Sequence, residues 1–278
     1  MPPAAVTESR QRLQLPAWWW GECVGTFLLV FFGCGSVASA VLTGANAGVF
    51  QVAIVWGLGI ALAIHLTASL SGAHLNPAVT LALCVWQGFP KRRLPGYLVA
   101  QLLGAFLAAG LLFALFGDAL TAYETRHSLV RGAAGSEATA MVFGEFFPNP
   151  GGKPLDAETR ALMSHGRAFL AEFAGTAILL FVICGLTDER NRARPTQAAA
   201  AIGLTVTLLI CLLGPLTMAC FNPARDLGPR LFSALAGWGS VPFTTNGLGW
   251  LTVYLLAPLA GGLVGAGLYH RRLKPLHP

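Results

Sequence analysis

The chain has 278 residues, of which 55% are hydrophobic and only 11% carry a charge, and its mean hydropathy is +0.63. A soluble domain carries roughly 25% charged residues, because its surface must be covered with polar groups. The composition therefore excludes a soluble globular protein and a disordered chain, and it indicates a polytopic membrane protein. Gly is abundant, at 33 residues, as is typical of closely packed transmembrane helices.

The net charge of +6 is divided among four groups and does not form one basic face. The groups are Arg10 and Arg12; Lys91, Arg92 and Arg93; Arg190, Arg192 and Arg194; and Arg271, Arg272 and Lys274. If six helices cross the membrane, all four groups lie on one side, and together they hold 11 of the 18 Lys and Arg residues. This positive-inside pattern predicts a multi-pass protein of the cell membrane with both termini in the cytoplasm. Without a basic face that has interleaved aromatics, nucleic acid is not an expected partner.

Six apolar segments are long enough to cross a bilayer, which needs about 20 residues. They are Ala17–Val41, Phe50–Leu70, Gly96–Phe116, Arg167–Leu186, Ala198–Leu216 and Gly249–Tyr269. Two shorter apolar pieces, Asn76–Val85 and Asn222–Leu235, each begin with Asn-Pro-Ala and are too short to span. The predicted fold class is an all-α membrane protein with six transmembrane helices and two re-entrant half-helices.

The chain contains an internal repeat. The string around Glu22, Gly-Glu-Cys-Val-Gly-Thr-Phe, resembles the string around Glu172, Ala-Glu-Phe-Ala-Gly-Thr-Ala, and Asn76 recurs as Asn222. Each half holds three spans, so the second half must run in the opposite sense, as in the inverted repeats of many transport proteins. Ala38-Ser39-Ala40 resembles a signal-peptidase site, but Glu22 belongs to the repeated element, so its segment is expected to be structural.

The repeat predicts a single membrane domain. We place it at about residues 17–270, with repeats at about 17–117 and 167–270, an outside loop at about 118–166, and cytoplasmic tails at 1–16 and 271–278. The six Cys residues lie in or beside apolar segments without a C-x-x-C pair, so free thiols are expected rather than a disulfide or a metal site. No cofactor is expected. No nucleophile–base constellation stands out, so no catalytic residue is assigned and an enzyme is not expected.

The two Asn-Pro-Ala motifs are sound helix starts, because Asn is a favoured N-cap and Pro is favoured at the first helical position. Asn76-Pro77-Ala78 and Asn222-Pro223-Ala224 open helices at matched places in inverted halves, so the two N-termini should meet near the bilayer midplane. Non-helical backbone at that depth is tolerated only where protein buries it or water lines it. We therefore predict that the runs before the two helices line a cavity with their carbonyl groups. The predicted carbonyl strips are Gly72, Ala73 and His74, and Met218, Ala219 and Cys220.

Such a cavity would pass neutral molecules and exclude ions. Each helix start carries about half a positive charge, so two facing starts raise the barrier to cations. The side chains of Asn76 and Asn222 offer hydrogen-bond donors, and the carbonyl strips offer acceptors. A neutral molecule that donates and accepts hydrogen bonds passes, whereas an ion must shed its hydration without adequate replacement.

The motifs resemble those of the major intrinsic protein family, which comprises aquaporins and glycerol facilitators and for which this account of selectivity is the general one. The matching strings are Ser71 to Thr80, Gly214 to Thr217, Asn222 to Asp226 and Ala236 to Gly239. The resemblance covers about residues 17–272 and implies a homotetramer with one pore per subunit. Asp226, the long third loop and the string Trp-Gly-Leu-Gly from Trp56 are similar to the glycerol-facilitator branch.

The resemblance also implies a selectivity filter of four residues. Counting from the motifs places it at Trp56, Ile210, Ala219 and Arg225. Water-specific members have Phe and His at the first two positions, whereas bacterial glycerol facilitators have Gly and Phe at the second and third. This set is more similar to that of the nodulin-26-like group, which is associated with glycerol, ammonia and uncharged metalloid acids. Arg225 is expected to donate to solute hydroxyls, with a salt bridge to Asp226 as the competing interpretation.

The buried Glu22 and Glu172 are expected to accept N–H bonds from the non-helical run of their own half, which is their role in the family. The predicted function is a passive channel in the lipid bilayer for small neutral solutes and some water. The solutes are glycerol and related polyols, with urea, ammonia and arsenous acid as further candidates. The alternatives are a water-selective aquaporin, a proton-coupled secondary transporter and a junction-forming structural protein.

Overall fold

The computed structural model describes residues 15–46, 48–191 and 197–278, and its regular elements in these ranges are helices. They are α1 (Ala17–Ala38), α2 (Val49–Ser71), α3 (Pro77–Trp86), α4 (Leu94–Arg126), α5 (Glu137–Ala140), α6 (Ala157–Ala161), α7 (His165–Thr187), α8 (Ala198–Thr217), α9 (Pro223–Ser233), α10 (Val241–Thr244), α11 (Gly249–Leu251) and α12 (Ala257–Leu268). A π-helical turn, Thr252–Leu256, joins α11 to α12. Of the predicted basic groups, Arg10, Arg12, Arg192 and Arg194 lie outside the described residues.

Six helical segments of the described chain are long and apolar enough to cross a membrane. They are Ala17–Thr43, Val49–Ser71, Lys91–Arg126, His165–Thr187, Ala198–Thr217 and Gly249–Leu276. The helices α3 and α9 are the two short elements that begin at Asn-Pro-Ala. The predicted fold class is therefore confirmed, with all six spans at the expected places in the sequence.

The third long helix differs from its predicted bounds. It continues to Arg126 and does not end at Phe116, so the loop that follows begins at His127. The polar residues after Phe116 resemble a loop, but Leu120 and Glu124 are buried. The Glu124 carboxylate accepts hydrogen bonds from Arg131 and Thr139 of that loop. Tertiary contacts with the loop therefore extend the helix beyond its apolar part.

The helices pack in two equivalent sets. In the first half α1 packs against α2 and α4, and in the second half α7 packs against α8 and α12. Each half-helix then packs across the repeat boundary, α3 against α12 and α9 against α4. The halves also meet where α2 crosses α8. The two backbones approach closely at Gly57 and Gly203, since a Cβ on either glycine would clash with the backbone carbonyl of the other. This arrangement brings both half-helices to the centre of the bundle.

The outer face of the bundle is apolar. On α2, Leu58, Leu62, Leu66 and Leu70 recur every fourth residue and are between 49% and 60% exposed. An unbroken stripe of exposed leucines is unfavourable against water but suits the hydrocarbon of a bilayer. The outward face of α2 is therefore suited to contact with lipid.

Candidate functional site

The starts of the two half-helices lie against each other. The Oδ1 atom of Asn76 accepts the backbone N–H of Ala78 at 2.8 Å, and that of Asn222 accepts the N–H of Ala224 at 3.1 Å. The Nδ2 atom of each Asn donates to the other half, Asn76 to the carbonyl of Phe221 and Asn222 to the carbonyl of Leu75, both at 2.8 Å. Each Asn thus caps its own helix and joins it to the opposite one, and its amide keeps a second N–H.

The runs before the half-helices have an unusual backbone. Ala73 and Leu75 have φ values of 49° and 52°, and the matched Ala219 and Phe221 have φ values of 61° and 52°. Residues with a Cβ rarely adopt this left-handed region, which costs roughly 1–2 kcal/mol per residue. The conformation interrupts the helical hydrogen bonding, so the carbonyl groups of both runs become available to other partners.

One buried glutamate supports each run. The carboxylate of Glu22 accepts the backbone N–H groups of His74 at 2.9 Å and Leu75 at 2.8 Å. The carboxylate of Glu172 accepts those of Cys220 at 3.0 Å and Phe221 at 2.8 Å. Both glutamates are fully buried. Because an unpaired buried N–H is costly, these bonds stabilise the left-handed backbone that the runs require.

A cavity of about 720 Å³ runs past both helix starts. Asn76 and Asn222 line it near the helix starts, and Gln87, Thr187 and Gln197 line it near other helix ends. Five of the six residues predicted as carbonyl strips also line the cavity, namely Gly72, Ala73, His74, Ala219 and Cys220. Met218 is absent from the described residues that line it, and its Sδ atom instead accepts the N–H of Phe146 at 3.3 Å.

The four predicted filter residues lie together on this cavity. Trp56 comes from α2, Ile210 from α8, Ala219 from the second run and Arg225 from α9. The guanidinium carbon of Arg225 lies 4.5 Å from the centre of the Trp56 ring. Ile210 and Ala219 contribute only aliphatic groups. The ring is therefore apolar apart from one cationic donor and one indole.

The partner of Arg225 is a residue that the sequence analysis did not identify. Arg225 forms an ion pair with Glu145, which lies on the loop between α5 and α6 and is fully buried. The same guanidinium donates to the carbonyl of Phe143 at 3.0 Å. Burial raises the pKa of the Glu145 carboxyl, and the contact with Arg225 opposes that rise. The available signal was a single acidic residue inside the apolar string from Met141 to Pro148.

Asp226 does not pair with Arg225. It pairs with Arg230, one turn along α9, at 2.7 Å, and it accepts the backbone N–H of Glu145 at 2.7 Å. Arg230 in turn donates to the carbonyl of Glu145. Asp226 and Arg230 thus hold the loop in place, and this positions the side chain of Glu145 against Arg225.

Comparisons with known proteins identify relatives of this arrangement. A family model described as "Major intrinsic protein" matches residues 11–269. A glycerol uptake facilitator protein from Pseudomonas aeruginosa is 43% identical over 250 residues, which cover 89% of this chain and 85% of the relative. A propanediol uptake facilitator from Citrobacter freundii is 40% identical over 250 residues, which cover 89% of this chain and 88% of the relative.

The fold is similar to a solved structure as well. The X-ray structure of the aquaglyceroporin from Plasmodium falciparum superimposes with a TM-score of 0.79 at 29% sequence identity. The superposition covers 94% of this chain and 97% of that chain. The similarity therefore extends over the whole membrane domain.

Proposed function

This chain belongs to the major intrinsic protein family, and from that premise we propose that it is a passive transmembrane channel for glycerol and related small neutral solutes. The observation that carries the proposal is the cavity that runs past two facing half-helix starts and reaches the ring of Trp56, Ile210, Ala219 and Arg225. Relatives named as glycerol and propanediol uptake facilitators support a polyol as the solute.

The chemistry of the cavity suits a polyol. The hydroxyl groups of glycerol accept hydrogen bonds from Arg225 and from the free amide N–H of each Asn, and they donate to the carbonyls of the two runs. Its carbon chain lies against Trp56 and Ile210. An ion finds no full set of ligands to replace its hydration shell, and cations also meet two helix N-termini. Passage requires no coupling to a second ion.

The chemistry of the ring suits a polyol better than water alone. Ile210 presents no polar atom, and Ala219 contributes only a methyl group to the lining. The ring is therefore less polar than a site built for water only, and some water is expected to pass with the solute. Urea, ammonia and uncharged metalloid acids such as arsenous acid are small and neutral, and they are the further solutes to test.

We also propose the setting in which the channel works. One channel domain at about residues 17–270 lies in the cell (plasma or inner) membrane with both termini in the cytoplasm, as the distribution of Lys and Arg favours. The apolar outer faces of α2 and the other long helices suit lipid and neighbouring copies, and the family favours a homotetramer with one pore per subunit.

Osmotic experiments on proteoliposomes test the proposal. After a glycerol shock, vesicles with the protein should shrink and then re-swell rapidly, whereas empty vesicles should re-swell slowly. A protonophore should leave the rate unchanged, since a proton-coupled transporter would lose uptake. Ala219→Trp places a second indole opposite Trp56 and should abolish re-swelling in a protein that still assembles. Fast shrinkage without re-swelling in the unmodified protein would contradict the proposal and favour a water channel.

A further inference from the structure

The positive charge of Arg225 repels cations at the filter, but by itself it does not exclude anions. If the proposed function is correct, a ring wide enough for glycerol is also wide enough for a chloride ion. Arg225 stays protonated, because a guanidinium group is not deprotonated in proteins. A single buried cation beside a pore repels cations, but it attracts anions. A negative charge paired with Arg225 would remove this attraction and would add to the barrier that loss of hydration sets for anions.

Glu145 has the position to do so. It forms an ion pair with Arg225, it is 0% exposed, and it is absent from the described residues that line the cavity. The guanidinium therefore lies between the carboxyl and the cavity. Solutes meet N–H donors, and the ionised form of the carboxyl that contacts the guanidinium offsets the charge of the arginine behind those donors.

No other carboxylate near the filter is available to Arg225 among the described residues. Asp226 is the nearest in sequence, but Arg230 engages both of its oxygens. Glu172 is engaged by the backbone of the second run. Glu145 itself is fixed by two backbone contacts, its N–H to Asp226 and its carbonyl to Arg230. The loop is thus held so that this one side chain reaches Arg225.

The same arrangement occurs at the other two positive groups of the cavity. The start of α3 has Glu22 behind it, and the start of α9 has Glu172 behind it, each bonded to the two residues before the N-cap. Three donor groups that face the cavity therefore each have a buried carboxyl on the side away from it.

We propose that Glu145 is a selectivity-determining residue that acts through Arg225 and excludes anions by neutralising the arginine charge at the filter. The inference rests on the proposed channel function. It predicts the sign of the ion leak that follows each substitution. Glu145→Gln leaves an uncompensated cation, so anions should enter. Arg225→Leu leaves an uncompensated carboxylate, so cations should enter instead.

Ion fluxes into proteoliposomes test the sign. Chloride entry is followed with a chloride-quenched dye and potassium entry with a potassium-sensitive dye. Glu145→Gln should raise chloride entry at least ~10-fold above the unmodified protein, with little change in potassium entry. Arg225→Leu should raise potassium entry, with little change in chloride entry. The double variant, in which both charges are removed, should leak neither ion, and Glu145→Asp, which keeps the charge, should remain tight.

A matched control is Glu137→Gln. Glu137 is a buried glutamate at the start of α5, in the same connection between α4 and α7. It pairs with Arg160 at 3.4 Å, and it is not among the described residues that line the cavity. Its variant should stay tight to both ions. Equal chloride entry in Glu145→Gln and the unmodified protein would overturn the inference, and so would a double variant that leaks chloride as Glu145→Gln does. If Glu145→Gln does not fold, the comparison of Arg225→Leu with the double variant decides.

The ion assay separates this inference from the proposed function. Slow glycerol re-swelling in the unmodified protein would remove the channel proposal, whereas the sign of the ion leak is read in a separate measurement. If Glu145→Gln admits neither chloride nor potassium and its glycerol re-swelling is normal, the role of Glu145 in anion exclusion is wrong and the channel proposal stands.

Discussion

The two halves of the bundle have the same support and different chemistry. In both, a buried glutamate holds a left-handed run and an Asn caps the half-helix. The support extends to the tyrosines, since Tyr97 donates to the carbonyl of Ser71 and Tyr254 donates to that of the matched Thr217. The halves differ at the third residue after the capping Asn, which is Val79 in the first half and Arg225 in the second. Both residues line the cavity.

The features that form the cavity are repeated, whereas those that select the solute are not. Both halves can use the same glutamate, left-handed run and Asn cap to open the cavity at the midplane, because this requires only a particular backbone geometry. Recognition needs an asymmetric group, and the charged one, Arg225, lies in the second half and is paired with Glu145 of the loop between the halves. The following experiments test that difference, beginning with the features that form the cavity.

The largest effect is expected from Glu22→Leu and Glu172→Leu, and it should be similar in both halves. Each substitution leaves two buried backbone N–H groups unpaired, at about 1–3 kcal/mol for each group. Each also removes the support of a strained run. We expect both variants to lose at least ~5 °C in Tm and most of their yield of assembled protein, measured by thermal unfolding and size-exclusion chromatography.

The matched control for this pair is Glu158→Leu, on the exposed face of α6. A surface substitution of this kind changes stability by about 0.5 kcal/mol or less, so its Tm should stay close to that of the unmodified protein. A large loss in only one of the two glutamate variants would show that the halves are not equivalent supports.

The second prediction contrasts the residues that differ between the halves. Arg225→Leu together with Glu145→Gln removes the donor without leaving a buried charge unpaired. A hydrogen bond to a charged group contributes about 1.5–3 kcal/mol, so glycerol permeability should fall ~10-fold or more. Val79→Ala, at the matched place in the first half, should change it less than about twofold. Stopped-flow re-swelling measures both, and equal effects would contradict a special role for Arg225 over the matched residue of the first half.

The sequence predicted the six spans and the two glutamate-supported runs better than it predicted the contacts of the filter. Hydropathy located the six spans, because each span is long, and the repeated Glu and Asn-Pro-Ala strings located the two runs. Glu145 was missed because it reaches Arg225 from 80 residues away, on a loop without periodicity. The competing interpretation of a salt bridge between Arg225 and Asp226 was wrong for a local reason. Adjacent residues on a helix do not face each other, whereas residues four apart do, and Asp226 pairs with Arg230.

The third prediction compares two alanines at matched places in the runs, Ala219 and Ala73. Ala219→Phe narrows the ring opposite Trp56, so the permeability of a five-carbon polyol should fall several-fold relative to that of glycerol. Ala73→Phe narrows the cavity away from Trp56 and should lower both permeabilities without changing their ratio. Re-swelling rates for the two solutes give the ratio directly. A changed ratio in Ala73→Phe would show that the first run also takes part in solute selection.

The smallest effect is expected far from the filter, on the outer part of the loop between α4 and α7. The Asp156 carboxylate caps α6 by accepting the N–H of Thr159 at 2.7 Å, and this bond lowers the pKa of Asp156. A lowered pKa in the folded state means that the cap stabilises the protein above about pH 4, the unfolded pKa, and that this stabilisation is lost as the pH falls through the folded pKa.

Asp156→Ala should therefore lower Tm at pH 7 by only about 1–3 °C. The difference from the unmodified protein should shrink towards about pH 3, where the carboxylate of the latter is increasingly protonated. Glycerol permeability should be unchanged, because the loop is tied to the filter through Glu145, Asp226 and Arg230 rather than through α6. A fall in permeability would show that the outer part of the loop also positions the filter, and the chemical asymmetry between the halves would then extend beyond α9.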